Sequence, residues 1–178
     1  MRYVDPDGRE DVSPVLRMGG YKLSSTQVFD YLVNAVEVAG LMGKSYSSSS
    51  NPPYVCTTFV EEALALITSE GNDYLPGGQR VVDSVVQLSD LIESQGKNPS
   101  EGSYIFYFVD SNGKTGHTGF VNFDKDGNTK ILHNGSDGKC NECVNLRVRD
   151  SRDFKTCFNK DNSGTLFYKK IEVEIWEE

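Results

Sequence analysis

Apolar and polar residues follow one repeat in the first part of the chain and a different one in the last part. From Ser24 to Met42, apolar residues recur every three or four positions, which is the spacing of a helix with one buried face. The Ser24–Gln27 segment suits an N-cap, and Gly43 suits a helix end. We therefore predict a first helix over residues 24–42.

A second apolar stripe of the same spacing follows a loop. Residues 45–53 are rich in Ser and Pro, which is loop composition, and the stripe behind them extends to Ile67. We predict that this second helix begins at Cys56 or Thr57. A third, shorter helix is predicted over residues 81–92.

After Gly102 the chain changes to short segments rich in β-branched and aromatic residues, separated by turn sequences such as Asp124–Gly127. The predicted strands cover residues 104–109, 117–123, 129–133, 144–149 and 165–176. Helices that come first and antiparallel strands that follow predict an α+β domain.

Length and charge narrow the class of protein. The 178 residues suit one domain, which we assign to residues 21–178, with residues 1–20 as a leader or linker. The formal net charge of −8 argues against a nucleic-acid partner, because phosphates are bound by clustered Lys and Arg. No apolar run approaches the roughly 18 residues that cross a bilayer, and no signal-peptide pattern is present. We therefore expect no membrane insertion and no signal peptide of the chain's own.

The four cysteines form one isolated residue, Cys56, and a group of three, Cys140, Cys143 and Cys157. The Cys-Asn-Glu-Cys stretch in that group can hold half of a metal site, form a redox pair or supply a disulfide. A tetrahedral zinc site needs a fourth ligand, and no His follows Cys140. We expect surface thiols or one disulfide, and the redox or metal state of the three stays open.

Cys56 has the placement of a nucleophile. It follows a Pro-containing loop and stands in the predicted first turn of an amphipathic helix. Backbone N–H groups without helical partners and the positive end of the helix dipole lie there, and both favour a thiolate. The competing interpretation is a small buried residue, since free cysteine is among the most buried residue types.

A thiolate nucleophile needs a base, and the chain offers two histidines. His117 opens the second predicted strand, and His133 ends the third. A hairpin with a three-residue loop would pair His117 with His133 and put the two imidazoles side by side. A register shifted by one residue would pair His117 with Asn134.

This pairing predicts a catalytic triad. His117 would take the proton of Cys56, and His133 would orient the imidazole of His117 through its far nitrogen. Asn134 is the alternative third member, because a side-chain amide can also orient an imidazole. For either histidine alone, the competing interpretation is a structural residue.

Four segments of the chain occur in an order and at a spacing shared with a known family. They are a Cys-containing segment, Tyr54–Val60, a strand, Gly102–Phe108, a His-containing strand, Gly116–Val121, and the strand end Ile131–Asn134. This order resembles that of the NlpC-type cell-wall peptidases, a papain-like family that borders the CHAP amidases. The similarity departs at Val55, where the family has an Asp.

The resemblance implies a papain-like domain with N-terminal helices packed on a C-terminal antiparallel sheet. It implies Cys56 as nucleophile, His117 as base and His133 as third residue, with substrate or oxyanion contacts from Tyr54 and Thr57. The implied reaction is hydrolysis of amide bonds in peptidoglycan stem peptides through an acyl-enzyme, with no metal or other cofactor. One alternative is a papain-like protease, deamidase or acyltransferase acting on proteins. Another is an inactive binding module that holds a metal.

The amino-terminal run Tyr3–Arg9 resembles the junction that closes the core of Rhs/YD-repeat proteins, in front of their carboxyl-terminal toxin domains. The resemblance implies an interbacterial toxin domain, secreted and delivered to the periplasm of a target cell, with an immunity protein as partner. The competing interpretation is a plain turn, because Asp5–Gly8 is a strong turn signal.

Overall fold

The computed structural model describes residues 20–45, 56–68, 74–75, 79–80, 83–113, 115–135, 142–149 and 164–176. Within these ranges the chain forms two helices and ten strands. The predicted leader before Gly20 lies outside the described residues, and so does Tyr54. In the described part of the chain, no helix is long and apolar enough to cross a bilayer.

The first helix, α1, spans Ser25–Val38 and confirms the first predicted helix. Its start is a capping box, in which the Gln27 backbone N–H donates to Ser24 Oγ at 3.4 Å and the Ser24 backbone N–H donates to Gln27 Oε1 at 2.9 Å. The helix ends before Gly43, because the chain turns away at Gly40, which has a φ of +74°. One stripe of α1 is buried: Val28, Phe29, Leu32, Ala35 and Val36.

The second helix, α2, spans Cys56–Ile67, which confirms its predicted start. Its buried residues are Phe59, Val60, Ala63 and Ile67. Cys56 precedes Phe59 and Val60 by three and four positions, so it lies on the same stripe of the helix. This stripe packs with α1 on one side of the sheet.

The ten strands in the described residues are β1 (Gly20–Lys22), β2 (Tyr74–Leu75), β3 (Gln79–Arg80), β4 (Asp83–Leu88), β5 (Ile92–Glu93), β6 (Gly102–Val109), β7 (Thr115–Phe123), β8 (Thr129–Gly135), β9 (Cys143–Arg149) and β10 (Thr165–Trp176). Eight of them form one antiparallel sheet in the order β1-β10-β6-β7-β8-β9, and β4 and β5 also pair with β10. The strands β2 and β3 form a separate hairpin. The predicted α+β class is confirmed, and the five strands predicted after Gly102 are present.

The predicted third helix over residues 81–92 is wrong, because this segment contains β4 and β5. Both strands pair with β10. The β-branched residues Val85 and Val86 fit a pleated sheet once such a partner exists. The partner comes from a distant part of the chain, so the local pattern of this segment does not reveal it.

The sheet separates two hydrophobic cores, which define its two faces. The side that packs against both helices is the helix face, and its strand residues include Ile105, Phe120, Leu132, Val144, Ile171 and Val173. The other side is the aromatic face, with Tyr104, Phe106, Val121, Phe123, Ile131, Leu166 and Tyr168. Successive residues of a strand point to opposite faces, so every central strand contributes to both cores.

Candidate functional site

Helix α2 lies along β7 and runs in the same direction. Near its start, the rings of Phe59 and Phe120 meet edge to face, with their centroids 6.0 Å apart. At its end, the Ile67 carbonyl accepts a hydrogen bond from Ser84 Oγ, and Ser84 lies in β4, which pairs with the last residues of β10. Those residues extend beyond the start of β6. Cys56, one turn before Phe59, therefore lies toward the opposite end of the sheet, where β7 begins.

Several elements start or stop at this side, which we call the Cys56 end of the sheet. There β6 ends, β7 begins at Thr115, β8 ends at Gly135 and β9 begins at Cys143. A bridge between Ser45 and Cys143 brings the chain that leads to α2 to the same place. Cys56 is half-buried and is a free thiol. Binding and catalytic residues concentrate where rigid elements end in this way.

The two histidines form a hydrogen-bonded pair close to the Cys56 end. His117 Nε2 lies 2.7 Å from His133 Nδ1, and the rings meet at 80° with their centroids 5.0 Å apart. His117 is partly exposed, whereas only 3% of His133 is exposed. The predicted contact between the two imidazoles is therefore present.

The register that produces this contact differs from the prediction. Phe123 pairs with Thr129, so the hairpin loop has five residues, where three were predicted. The carboxylate of Asp124 closes the loop, because its Oδ1 accepts hydrogen bonds from the backbone N–H groups of Asp126 at 2.9 Å and Asn128 at 2.8 Å. The pairing is shifted by two positions, which leaves both histidines on one face. Their contact runs diagonally between the strands.

Two glycines provide the room for the buried histidine. A Cβ atom at Gly119 would lie 2.7 Å from His133 Cβ and 2.9 Å from Phe106 Cε1. A Cβ atom at Gly135 would lie 2.6 Å from His133 Cε1. Glycine inside a strand marks a close approach of this kind. A larger residue at position 119 would press on His133 Cβ and the Phe106 ring, and one at position 135 would press on the His133 ring.

Burial controls the charge of His117. Desolvation lowers the pKa of His117 from 6.5 to about 4, so its imidazole is neutral at neutral pH. The ring of Phe106, whose centroid lies 5.7 Å from that of His117, forms part of the apolar surroundings. A neutral imidazole has one nitrogen that accepts, so His117 has the protonation state that a base requires.

Cys56 and the histidines lie at the same end of the sheet but on opposite faces. His117 contacts Phe106 of the aromatic face, whereas Cys56 lies on the stripe of α2 that packs on the helix face. The alternation along β7 produces this difference, because Thr118 and Phe120 face α2 and His117 does not. The predicted contact between Cys56 and His117 stays a prediction.

A bulge lies directly beside His117. The strands β6 and β7 pair regularly up to Phe108 and His117, and the register then shifts before Val109 pairs with Thr115. A bulge places two residues opposite one and re-aims the side chains next to it. The extra residue of this bulge is Gly116, which stands between the paired residues Thr115 and His117, so the regular alternation of β7 ends at His117.

The other predicted site residues are spread apart. Asn134 is buried one position after His133 and so points to the helix face, away from the two imidazoles. Its alternative role as the orienter of His117 stays a prediction. Thr57 is exposed on the first turn of α2. Tyr54 lies outside the described residues.

Cys143 is disulfide-bonded and buried, with 4% of its surface exposed. A disulfide sulfur is not a thiolate ligand, so the predicted alternative of a metal half-site that includes Cys143 is contradicted. No group of three or more His, Cys, Asp or Glu side chains is arranged to hold a metal ion in the part of the chain that the structure describes. Cys56 is not part of the disulfide.

Asn145 belongs to this region and was missed by the sequence interpretation. It is the partner of His133 across the β8–β9 pair, and it is 7% exposed. Asn is depleted in strands, so a lone Asn in the apolar run of β9 was a usable signal.

Comparisons with protein-family models, with curated proteins and with solved structures found no match. The similarity to cell-wall peptidases therefore rests on the four sequence segments alone. The placement of Cys56 and of the histidine pair supplies the structural basis for a functional proposal.

Proposed function

We propose that this domain is a cysteine hydrolase of papain-like arrangement, in which Cys56 attacks an amide carbonyl and His117 takes the thiol proton. One observation carries the proposal. A half-buried free thiol at the first residue of a helix and a hydrogen-bonded histidine pair, in which His117 is neutral, lie at the same end of one sheet. Nucleophile, base and orienting residue are the three groups that such a reaction requires.

The start of α2 suits the developing negative charge of the reaction. The first backbone N–H groups of a helix have no partner within the helix, and those of Cys56 and Thr57 belong to this first turn. They are donors for the oxyanion that forms when the thiolate sulfur attacks the carbonyl carbon. Because Thr57 is exposed, substrate can approach this turn from solvent.

The histidine pair suits the proton transfers. His117 accepts the thiol proton as the sulfur attacks, and it then donates this proton to the leaving amine when the carbon–nitrogen bond breaks. In the second half of the reaction His117 removes a proton from water, which attacks the thioester and releases the acid and the free thiol. His133, almost fully buried, holds the His117 ring through the bond between Nε2 and Nδ1.

The reaction also requires a movement, because the thiol and the imidazole start on opposite faces. Both lie at a margin of the sheet, so the path between them passes around its end. We place the backbone change that this movement requires at the bulge next to His117, between the pairs Phe108–His117 and Val109–Thr115. Catalytic hydrogen bonds are often long or poorly aligned in the absence of substrate and tighten only in its complex.

The substrate that we propose is an amide bond in a peptidoglycan stem peptide, and the biological role is that of a toxin domain that acts in the periplasm of a rival cell. The support is the similarity of four segments to cell-wall peptidases and of Tyr3–Arg9 to the Rhs junction. A protein substrate for the same thiol chemistry is the alternative.

Digestion of purified sacculi tests the proposal. We expect wild-type protein to release peptide-containing fragments, measured by chromatography and mass spectrometry. Cys56→Ala should reduce release to the level of the buffer blank, and His117→Ala should reduce it by about a hundredfold or more. Glu61→Gln, which changes an exposed residue on the same helix, is the matched control and should keep full activity.

Three outcomes would count against the proposal. Full activity of Cys56→Ala would remove the nucleophile. A Cys56 thiol that reacts with iodoacetamide no faster than free cysteine would remove the thiol chemistry. Wild-type protein that leaves sacculi intact but cleaves or modifies a protein would redirect the chemistry to protein substrates. Expression in the periplasm provides a cellular test, in which equal growth with wild type and Cys56→Ala would contradict a toxin role.

A further inference from the structure

Cys143 lies where the strand of His133 meets the chain that leads to Cys56. It is the first residue of β9, and on one side it pairs with Gly135, the last residue of β8. On its other side it forms a bridge with Ser45. Cys143 thus joins the two parts of the chain that carry the proposed nucleophile and the proposed histidine pair.

The residue after Cys143 strengthens this junction on the helix face. Val144 exchanges two backbone hydrogen bonds with the chain in front of α2: the Gly43 N–H donates to the Val144 carbonyl at 2.8 Å, and the Val144 N–H donates to the Lys44 carbonyl at 2.9 Å. The Val144 side chain is 1% exposed and belongs to the same core as Phe59 of α2. The start of β9 is therefore fixed both to the chain before α2 and to the core beneath it.

On the aromatic face, Cys143 is a neighbour of the His133 ring. This ring lies over Gly135, where a Cβ atom would be 2.6 Å from His133 Cε1 and 2.8 Å from His133 Nδ1. Paired residues point to the same face, so the Cys143 side chain points to the side on which the ring lies. Asn145 Nδ2 donates to the carbonyls of Gly135 at 3.0 Å and Cys143 at 2.9 Å. A shift of Cys143 would therefore move the backbone under the His133 ring.

The Cys143 sulfur is itself fixed by a covalent bond. Cys143 is disulfide-bonded and only 4% exposed. A disulfide holds its two sulfurs about 2.05 Å apart, whereas two thiols have no bond between them and separate to a van der Waals contact. Reduction therefore changes the packing at the start of β9. It leaves the Cys56 sulfur as it is, because Cys56 is already a free thiol.

We propose that Cys143 is a positioning residue, whose disulfide holds His133 in the place that hydrolysis requires. His133 transmits this position to His117, because His133 Nδ1 lies 2.7 Å from His117 Nε2. The hydrolase is then active only in its oxidised form. Disulfides persist in the periplasm and are reduced in the cytosol, so the domain is inactive in the cytosol of the cell that makes it. This inference rests on the proposed hydrolase function.

Treatment with dithiothreitol tests the inference directly. The sulfur–sulfur bond of Cys143 breaks, each of its two sulfurs gains one electron and one proton, and dithiothreitol is oxidised to its cyclic disulfide. The same reductant preserves a nucleophilic cysteine, because thiols reverse the first oxidation step of a cysteine sulfur. A loss of activity on reduction therefore does not arise at Cys56.

We expect reduced wild type to hydrolyse a soluble muropeptide with a kcat about tenfold or more below that of the oxidised protein and with little change in KM, since misplaced catalytic groups cost this much. Cys143→Ser should show the low kcat without reductant. One of Cys140→Ser and Cys157→Ser should do the same by removing the partner sulfur, and the other is the matched control with wild-type kcat. Wild-type kcat in reduced protein or in Cys143→Ser would overturn the proposal.

Circular dichroism at the assay temperature separates positioning from folding. We expect reduced wild type and Cys143→Ser to keep the secondary structure of the oxidised protein. If both forms lose it, the positioning role is overturned, and the disulfide only stabilises the fold.

Side-chain nitrogen NMR of the two histidines gives a readout that needs no enzymatic activity. We expect reduction and Cys143→Ser each to move the signals of His133 and His117 in the folded protein. Unchanged histidine signals in both forms would contradict the positioning role even if no substrate were cleaved. Moved signals, together with no hydrolysis by oxidised wild type, would instead count against the hydrolase alone.

Discussion

The two faces of the sheet use the same strands for different purposes. On the helix face, buried polar groups support the packing of the fold: Ser103 Oγ donates to the Ser25 carbonyl of α1 at 2.8 Å, and Thr118 Oγ1 donates to the Phe106 carbonyl at 2.8 Å. On the aromatic face, polar groups lie close together at one end, where His117, His133 and Asn145 occupy neighbouring strands.

The difference shows how alternation along a strand divides structural from chemical residues. Phe120 is fully buried under α2, and its neighbour Gly119 leaves the room in which His133 sits. Because side chains alternate along a strand, one side of the strand can pack against a helix while the other side contacts a polar group. For catalysis, the consequence is that Cys56 and His117 start on different sides of one layer.

The largest loss of stability is expected from removing one buried aromatic ring on either face of the sheet. Phe120→Ala and Phe106→Ala should each lower the free energy of unfolding by about 4 kcal/mol, because both rings are fully buried. Urea denaturation measures this loss. Phe106→Ala should in addition move the NMR signals of His117, whose ring lies 5.7 Å away, whereas Phe120→Ala should not. Equal changes of the histidine signals in both variants would contradict the assignment of His117 to the aromatic face.

A smaller effect is expected from pH, through the depressed pKa of His117. Because this pKa falls from 6.5 to about 4 on folding, the unfolded chain binds a proton between these values and the folded chain does not. The contribution of His117 to stability is therefore complete above pH 6.5 and is lost as the pH falls toward 4, by about 3 kcal/mol. Denaturation of wild type and His117→Asn across this range should show the dependence in the wild type alone. A parallel decline of both proteins would contradict a buried neutral His117.

A still smaller loss of stability is expected from adding a methyl group at Gly119. Gly119→Ala would place Cβ 2.7 Å from His133 Cβ, so we expect a loss of about 2 kcal/mol and a displaced His133 ring. Gly116→Ala is the matched control on the same strand, because its nearest contact is 3.1 Å, to the edge of the Phe108 ring. Thermal unfolding and histidine NMR measure the two effects. A Gly119→Ala protein as stable as Gly116→Ala would show that the space around His133 is looser than described.

The smallest effect is expected from Ser103→Ala on the helix face. The variant loses the hydrogen bonds of Ser103 Oγ to the Ser25 carbonyl and to Asn122 Oδ1, which should cost about 1 kcal/mol. The signals of both histidines should stay as they are in the wild type. Histidine signals that move in Ser103→Ala would reveal a coupling through the sheet and would weaken the comparison made above.

Elements with a strong local signal were predicted to within a few residues. The capping box of Ser24 and Gln27 and the stripe from Val28 to Val36 specify α1, and the stripe behind Cys56 specifies α2. Alternating apolar residues between turn sequences specify β6 to β10. These signals are local, because helix caps, helix periodicity and strand alternation are each completed within a few residues.

Elements that depend on a distant partner were missed. Asp83–Leu88 forms a strand because its backbone pairs with β10, although the spacing of its apolar residues is helical. The hairpin of the two histidines has five loop residues because the Asp124 carboxylate holds two backbone N–H groups, which alternation alone does not reveal.

The sequence by itself determined the placement of a cysteine at the start of a helix and of two histidines on one face of neighbouring strands. Only the tertiary structure decided that this face is turned away from α2 and that Asn145 lies opposite His133. The physical reason is that alternation fixes which residues share a face, whereas the side on which a helix packs is set by the sum of apolar contacts across the whole sheet.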